Sequence, residues 1–195
     1  MKLADEHWGN RMSNKIMIAR HGEKPEKDKD IHGVDPEGEH DRYELSTRGW
    51  QRSGALVRFF NPVHGQFAHP ALAKPDAVFA AAPSGHVHSE RSLHTVQAVA
   101  ESLGLKVNLR HSKGEERRLV EDAMATHGVV LIGWEHHAII DVANLILGND
   151  KSSPQKWPDS RYDLVWVFDQ HPHPEGWKLT QVAQMVLPGD SPKLL

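Results

Sequence analysis

The run GVVLIGW at residues 128–134 constrains the fold of this chain more than any other segment. It is apolar throughout, so it has no solvent-facing side. Strands of this kind are typical of parallel sheets, where helices cover both faces. The segment therefore predicts a strand in the interior of an α/β sheet.

Strand and helix patterns alternate along the rest of the chain. Further strands are predicted at residues 15–20, 75–82, 106–109, 162–169 and 177–186. Helices are predicted after a cap at Ser46, over 89–104 with Gly104 at the C-cap, over 115–125, and over 138–147 before Gly148. This alternation predicts a three-layer α/β/α sandwich with a mostly parallel central sheet. We expect residues 1–14 to be an extension and 15–195 to form one domain.

Composition excludes several functional classes. The chain has 195 residues, a net charge of −3 and no cysteine, which removes disulfides, thiolate zinc sites and a cysteine nucleophile. No general basic field points to nucleic acid or an anionic membrane. No stretch approaches the roughly 20 apolar residues of a membrane span, and no signal peptide is recognisable. We expect a cytoplasmic protein with neither a nucleic-acid nor a membrane partner; its oligomeric state stays open.

Three predicted strands are followed by polar clusters. In open α/β sheets the ligand binds beyond the carboxyl ends of the strands, so these clusters are expected to converge. They are Arg20, His21 and Gly22 after the first strand, Ser84, Ser89 and Arg91 after the second, and Glu135, His136 and His137 after the strand at 128–134. We expect the segments 24–44, 61–74 and 149–161 to shape access to this edge.

The converging residue types suit phosphoryl transfer. A neutral imidazole can attack phosphorus and carry the phosphoryl group covalently. Arginine forks match the phosphoryl oxygens, and a helix beginning near Ser89 would add N–H donors. Gly22 lacks the Cβ that would obstruct the nucleophile. A second, protonated histidine can balance the charge that develops on the oxygens.

Four motifs, in order, resemble the histidine phosphatase superfamily, the phosphoglycerate-mutase-like group. The first is Arg-His-Gly at 20–22, and the second is LSTRGWQRSGAL at 45–56, similar to the pattern Leu-Ser-x-x-Gly-x-x-Gln. The third is ERSLHTVQ at 90–97, where His94 replaces the usual glutamine of Arg-Ala-x-Gln-Thr. The fourth is VVLIGWEHHAI at 129–139, similar to the strand that delivers the second histidine. Together they span residues 15 to 148.

The resemblance implies the roles of the site residues. His21 would be the phosphorylated nucleophile, and Arg20, Arg91 and His136 would complete the phosphate pocket. Gly22 and Ser89 would also bind phosphate, with Ser84 as the alternative serine. Lys24 stands where the acid phosphatase and phytase branch has an arginine, so it is a further phosphate ligand candidate. No cofactor and no metal are implied.

The proton donor is less defined. Glu115 and Glu116 are candidates because the family acid often follows the third strand, although neither fits a motif. The phosphohistidine phosphatases of the family lack this acid, since their leaving group needs less protonation. His86 or His88 is a candidate for the pocket rim.

The predicted function is a phosphohydrolase with a covalent phosphohistidine intermediate. The substrate class is a phosphomonoester or phosphohistidine, carried by a small molecule or a phosphoprotein. A mutase-type phosphotransferase and a non-catalytic phospholigand-binding protein are the alternatives. Paired histidines at 86/88, 136/137 and 171/173 also leave a metallophosphatase to be tested, although no His-Glu-x-x-His pair is present.

Overall fold

A computed structural model describes residues 15–85, 88–172 and 176–195, which contain one six-stranded sheet. The strands are β1 Lys15–Arg20, β2 Ala77–Ala80, β3 Val107–Asn108, β4 Val129–Trp134, β5 Leu164–His171 and β6 Gly176–Ala183. Their spatial order is β3-β2-β4-β1-β5-β6. The first four strands pair in parallel, whereas β5 is antiparallel to both of its neighbours. The predicted extension at 1–14 lies outside the described residues.

Helices cover both faces of the sheet. They are α1 Thr47–Phe60, α2 Arg91–Ser102, α3 Glu116–Ala125 and α4 His136–Leu147, with a 3₁₀ turn at Lys27–Lys29. Because side chains alternate along a strand, Ile16 and Ile18 of β1 enter the core beneath α3 and α4, while Met17 enters the core beneath α1 and α2. The predicted α/β/α sandwich is therefore confirmed. Within the described ranges, no helix combines the length and apolar character needed to cross a bilayer.

The register of β1 and β4 positions the candidate site. Arg20 and Trp134, the last residues of the two strands, are aligned neighbours. The amide of His21 donates to the carbonyl of Trp134 at 3.0 Å, which extends this pairing by one residue. Whatever follows β1 and β4 therefore emerges at the same edge of the sheet.

Two predicted helix boundaries are corrected. Helix α4 begins at His136, two residues before the predicted start, because the Glu135 carboxylate accepts from the amide of Ala138 at 3.2 Å and caps the helix. His136 therefore lies in a helical turn rather than at a strand end. Helix α2 has Leu103 at its C-cap, and Gly104 follows with a φ of 68°. Gly104 therefore lies one position after the C-cap, where a residue with left-handed backbone angles ends the helix.

Candidate active site

His21 directly follows β1, and only 5% of its surface is exposed. Its Nδ1 lies 2.7 Å from the carbonyl oxygen of Gly22, which can only accept, so Nδ1 carries the proton. The lone pair is then on Nε2. Burial, assisted by the positive charge of Arg20, lowers the pKa of His21 to about 3. The imidazole is therefore neutral and held in one tautomer, as nucleophilic attack requires.

Gly22 lies in a tight junction with α1 and α2. Its amide donates to Thr95 Oγ1 at 2.7 Å, and that hydroxyl donates to the carbonyl of Arg91 at 2.6 Å. A Cβ on Gly22 would lie 2.9 Å from the carbonyl oxygen of Gly49. Thr95 was not singled out from the sequence as a functional residue. The only signal was its place as the threonine of the helix motif.

The second sequence motif packs the start of α1 against the residues that follow His21. A Cβ on Gly49 would lie 2.5 Å from the carbonyl oxygen of Glu23, so only glycine permits this approach. The amide of Ser46 donates to the same oxygen at 2.9 Å. The Ser46 hydroxyl also accepts from the amide of Gly49 at 3.3 Å, which is the predicted cap. The motif therefore fixes the backbone next to His21.

Arg52 occupies the position that the family pattern gives to glutamine, and it is 1% exposed. Its Nη2 lies 2.8 Å from Glu23 Oε1 and 2.7 Å from Asp190 Oδ1. Its Nη1 donates to Gln184 at 2.7 Å. The guanidinium thus ties the segment after His21 to the C-terminal residues. This buried network was missed from the sequence.

Arg20 is fully buried beside His21. Its Nη1 donates to the carbonyls of Asp159 and Arg161, both at 2.7 Å, and its guanidinium lies 3.8 Å over the ring of Tyr162. Its Nε and Nη2 have no hydrogen-bond partner in the described part of the chain. Buried donors without an acceptor cost free energy, so these two guanidinium nitrogens are suited to bind an anionic ligand.

Arg91 is the first residue of α2. Its Nε donates to the carbonyl of Glu44 at 3.1 Å, and its Nη2 donates to the carbonyl of Arg42 at 2.9 Å. Its charge also contributes to the lowered pKa of His21, so the two side chains share one site. Ser89 directs its hydroxyl proton to the carbonyl of Tyr43 at 3.1 Å. That contact assigns Ser89 to the loop that holds Arg91.

His94 forms a buried pair with Glu44 behind Arg91. Its Nδ1 lies 2.7 Å from Glu44 Oε2, and its ring stacks on Trp50 with centroids 5.1 Å apart. Burial alone would lower the pKa of His94, but the Glu44 carboxylate outweighs it and the pKa is raised. The backbone carbonyl of this same Glu44 holds Arg91. His94, which stands where the family pattern has glutamine, is therefore linked to the position of Arg91.

His136 faces His21 across the pocket, with ring centroids 6.5 Å apart. Its Nε2 lies 2.6 Å from Asp159 Oδ1, and its Nδ1 lies 2.8 Å from Glu135 Oε1. Burial lowers the pKa of His136, and these carboxylates, which act in the opposite direction, do not overcome it. The protonated state expected from the sequence is thus disfavoured in the free protein.

Lys24 and the other rim candidates lie further out. Lys24 lines a cleft that also contains Asp159 and Tyr162, and its charge helps to lower the pKa of Asp159 after the larger effect of His136. His88 is exposed and meets the ring of Tyr43 at 5.9 Å. His86 lies outside the described residues.

The proposed donors Glu115 and Glu116 both have structural partners. Glu115 accepts from the amide of Ser112 at 2.9 Å and from Arg118 at 3.1 Å, and the amide contact is the main reason why its pKa is lowered. Glu116 accepts from the indole of Trp134 at 3.2 Å. These contacts place both carboxylates at the start of α3, where they bind amides of the preceding turn and the indole at the end of β4.

Comparison with known proteins extends these observations. At the level of sequence, no family model and no curated protein matches the chain. Among solved structures, the proposed phosphohistidine phosphatase SixA of Agrobacterium tumefaciens has 14% identity and a TM-score of 0.51, over 87% of this chain and 98% of that one. The proposed α-ribazole-5′-phosphate phosphatase of Escherichia coli has 12% identity and a TM-score of 0.51, over 88% and 96%.

A third similar structure is a phosphoserine phosphatase variant of Entamoeba histolytica in complex with phosphoserine. It has 13% identity and a TM-score of 0.50, over 87% of this chain and 95% of that one. At these identities the similarity establishes the fold. The protein therefore has the phosphoglycerate-mutase-like α/β fold of these phosphatases, as the sequence motifs predicted.

Proposed function

We propose that this protein is a histidine phosphatase, a phosphoric monoester hydrolase that forms a covalent phosphohistidine on His21. The observation that carries the proposal is the buried, neutral imidazole of His21, whose Nδ1 is fixed by Gly22 beside the unpartnered edge of Arg20. The fold shared with proteins named as phosphatases supports it.

The reaction follows from these positions. Nε2 of His21 attacks phosphorus, and the bond from phosphorus to the leaving oxygen breaks, with the electron pair remaining on that oxygen, which takes up a proton. Water then attacks the phosphohistidine, the P–N bond breaks, and inorganic phosphate leaves neutral His21. Arg20 and Arg91 offset the charge on the phosphoryl oxygens. His136 supports the same oxygens when it is protonated.

Hydrolysis is favoured over mutase activity and over simple binding. Family mutases carry serine, tryptophan and asparagine after Arg-His-Gly, whereas this chain has EKPEKD at 23–28. A groove of about 840 Å³, lined by Arg91 and by the loop after β1, gives water room beside this arginine. A non-catalytic binder would have no need of a neutral, oriented nucleophile.

The substrate class is a phosphorylated small molecule or a phosphoprotein, including phosphohistidine. The similar structures are named for phosphohistidine, phosphoserine and α-ribazole-5′-phosphate, which are different leaving groups. Residues of the loop after β1, including His32, His40 and Tyr43, line the groove and are the candidates for selecting among them.

Trapping the intermediate tests the proposal. During turnover of p-nitrophenyl phosphate, the protein should carry alkali-stable, acid-labile phosphate on His21. His21→Ala should fold normally and retain less than about a thousandth of the rate, because the nucleophile is lost. His64→Ala, at an exposed histidine outside the site, should match the unmodified protein. A His21→Ala variant that keeps a tenth of the rate would refute the assignment.

Chelation distinguishes this mechanism from the metallophosphatase alternative. We propose that the reaction is metal-independent, because arginines and histidine supply the positive charge that a metal would otherwise supply. Activity should survive exhaustive treatment with EDTA, and vanadate should inhibit. Loss of activity with EDTA and recovery with zinc or manganese would favour the metal mechanism instead.

A further inference from the structure

We propose that His136, His137 and Asp159 form a Zn²⁺-binding site at the mouth of the phosphate pocket, and that zinc bound there inhibits the enzyme. Binding itself is independent of the proposed function, whereas inhibition rests on it. The site is distinct from a catalytic metal centre because it would occupy the histidine that supports the phosphoryl group.

Two ring nitrogens approach one carboxylate oxygen. His136 Nε2 lies 2.6 Å and His137 Nε2 lies 3.7 Å from the same oxygen, Asp159 Oδ1. The two imidazole rings have centroids 3.9 Å apart. Tetrahedral zinc with bonds of about 2.1 Å separates its ligand atoms by roughly 3.4 Å, a value between the two measured distances. Glu135 also offers a ligand atom within 4.8 Å of both histidines.

The ligands differ in how freely they can adjust. The side chain of His136 is 5% exposed, whereas those of His137 and Asp159 are 70% and 77% exposed. The two exposed side chains can therefore move by the fraction of an ångström that tetrahedral geometry needs. They also leave an open path from solvent, so zinc can enter without opening the core.

Charges of both signs surround the site, and Arg20 near His136 and Lys24 near Asp159 disfavour a cation. The start of α4 carries a partial positive charge that opposes one. The carboxylates of Asp159 and Glu135 offset this charge, although Glu135 also pairs with Lys113 at 3.1 Å. Two imidazoles with a carboxylate are a donor set that suits zinc, and a fourth position remains for water.

Inhibition follows from the atom that zinc would take. Zinc at Nε2 of His136 would displace the proton that this nitrogen shares with Asp159, so the ring could not become the cation that supports the phosphoryl oxygens. Removing trace zinc should then preserve or raise activity. A catalytic metal would give the opposite result.

Calorimetric titration with zinc chloride, on the full chain treated with EDTA and without substrate, tests the site directly. Because the chain has 15 histidines, the informative quantity is the difference between variants. His137→Ala should weaken one zinc-binding event by about tenfold or more, and His64→Ala should not change it. Identical titrations for His137→Ala and the unmodified protein, or no zinc binding by either, would overturn the proposal.

Activity supplies the second readout. His137→Ala should hydrolyse p-nitrophenyl phosphate at the unmodified rate without zinc, and it should resist zinc concentrations that inhibit the unmodified protein reversibly. Equal inhibition of both proteins would overturn the inhibitory role. If the protein proved inactive towards every phosphate ester, the proposed function would fail, while the calorimetry would still decide whether the zinc site exists.

Discussion

The two sides of the candidate pocket are built in different ways. On the side of His21, called here the nucleophile side after its proposed role, the end of β1 meets the starts of α1 and α2 through backbone contacts, close glycines and the Thr95 hydroxyl. On the opposite side, His136 is hydrogen-bonded through Nε2 to Asp159 and lies beside the Glu135 carboxylate, and the Asp159 side chain is 77% exposed. The first side fixes geometry independently of pH, whereas the second can change its protonation and its partners. In the proposed mechanism, the geometry of attack is therefore fixed, whereas the charge support from His136 can change with pH.

A single added methyl group should displace the backbone on the nucleophile side. Gly49→Ala would place a Cβ 2.5 Å from the carbonyl oxygen of Glu23, so the backbone after His21 must shift. We expect kcat/KM to fall by about 100-fold, as a misplacement of about 1 Å does, and stability to fall by about 1–3 kcal/mol. Steady-state kinetics and urea unfolding would measure both quantities.

Gly54→Ala on the same helix is the matched control. A Cβ there meets nothing within 4 Å, so the change should leave activity intact. It should raise stability by about 0.5–1 kcal/mol, since alanine is the better helix former. If Gly49→Ala and Gly54→Ala behaved alike, the close contact between α1 and Glu23 would not matter for activity.

The pH profile separates the two histidines. Since the pKa of His21 is lowered to about 3, acid should not protonate the nucleophile above about pH 4. The pKa of His136 is lowered as well, so in the free enzyme this residue loses its proton below the ordinary histidine value of about 6.5. We therefore expect kcat/KM to be highest in acid and to fall up to tenfold per pH unit on the alkaline side. An acid limb centred near pH 6.5 would contradict the burial of His21.

The pair behind Arg91 should give a smaller effect. Because the pKa of His94 is raised, its stabilising contribution is complete below the unfolded value of about 6.5 and is lost as pH rises through the folded pKa. His94→Gln should cost about 1–3 kcal/mol at pH 5, less at pH 9, and should lower activity several-fold because the Glu44 carbonyl shifts. Urea unfolding at both pH values measures the difference.

His111→Gln is the control for His94→Gln. His111 is also buried and pairs with a carboxylate, Asp122, at 2.8 Å, but its partner has no contact with Arg91 among those the structure describes. The His111→Gln variant should therefore lose stability but keep its activity. Equal losses of activity in both variants would show that the Glu44 pair has no special role in placing the arginine.

The sequence predicted the nucleophile side better than the opposite side, for a physical reason. Arg20, His21 and Gly22 follow a strand with a clear pattern, and their partners lie in recognisable helix starts. Asp159 lies in a polar linker that carries no motif. It reaches His136 because β5 runs antiparallel beside β1, with Ala19 opposite Val165, so the residues just before β5 return to the end of β1. The periodicity of the sequence does not reveal whether β5 runs parallel or antiparallel to β1.

The network around Arg52 could not be predicted from the sequence for a similar reason. Arg52 and Asp190 are 138 residues apart in the chain, and each taken alone looks like an ordinary surface charge. Their burial follows from the packing of the C-terminal residues against α1. The boundary of α4 was misplaced because Glu135 was considered as a neighbour of the second histidine and not as a helix cap.

The smallest effect is expected at the two glutamates proposed from the sequence as proton donors. A donor must hold its proton at the working pH, yet the amide of Ser112 and Arg118 keep the pKa of Glu115 below its usual value. Glu116 is bound to the indole of Trp134. Glu115→Gln and Glu116→Gln should therefore change the rates of hydrolysis of p-nitrophenyl phosphate and of an alkyl phosphate by less than about twofold. Neither carboxylate is expected to supply the 10²–10⁴-fold acceleration of a general acid.

The ratio of the two rates is the decisive measurement, because only the alkyl leaving group needs strong protonation. A selective loss of alkyl phosphate hydrolysis of tenfold or more in either variant would restore that glutamate as the acid. Equal, small losses would leave the pocket without an acid at α3, and a leaving group as good as the imidazole of phosphohistidine would then be the expected substrate.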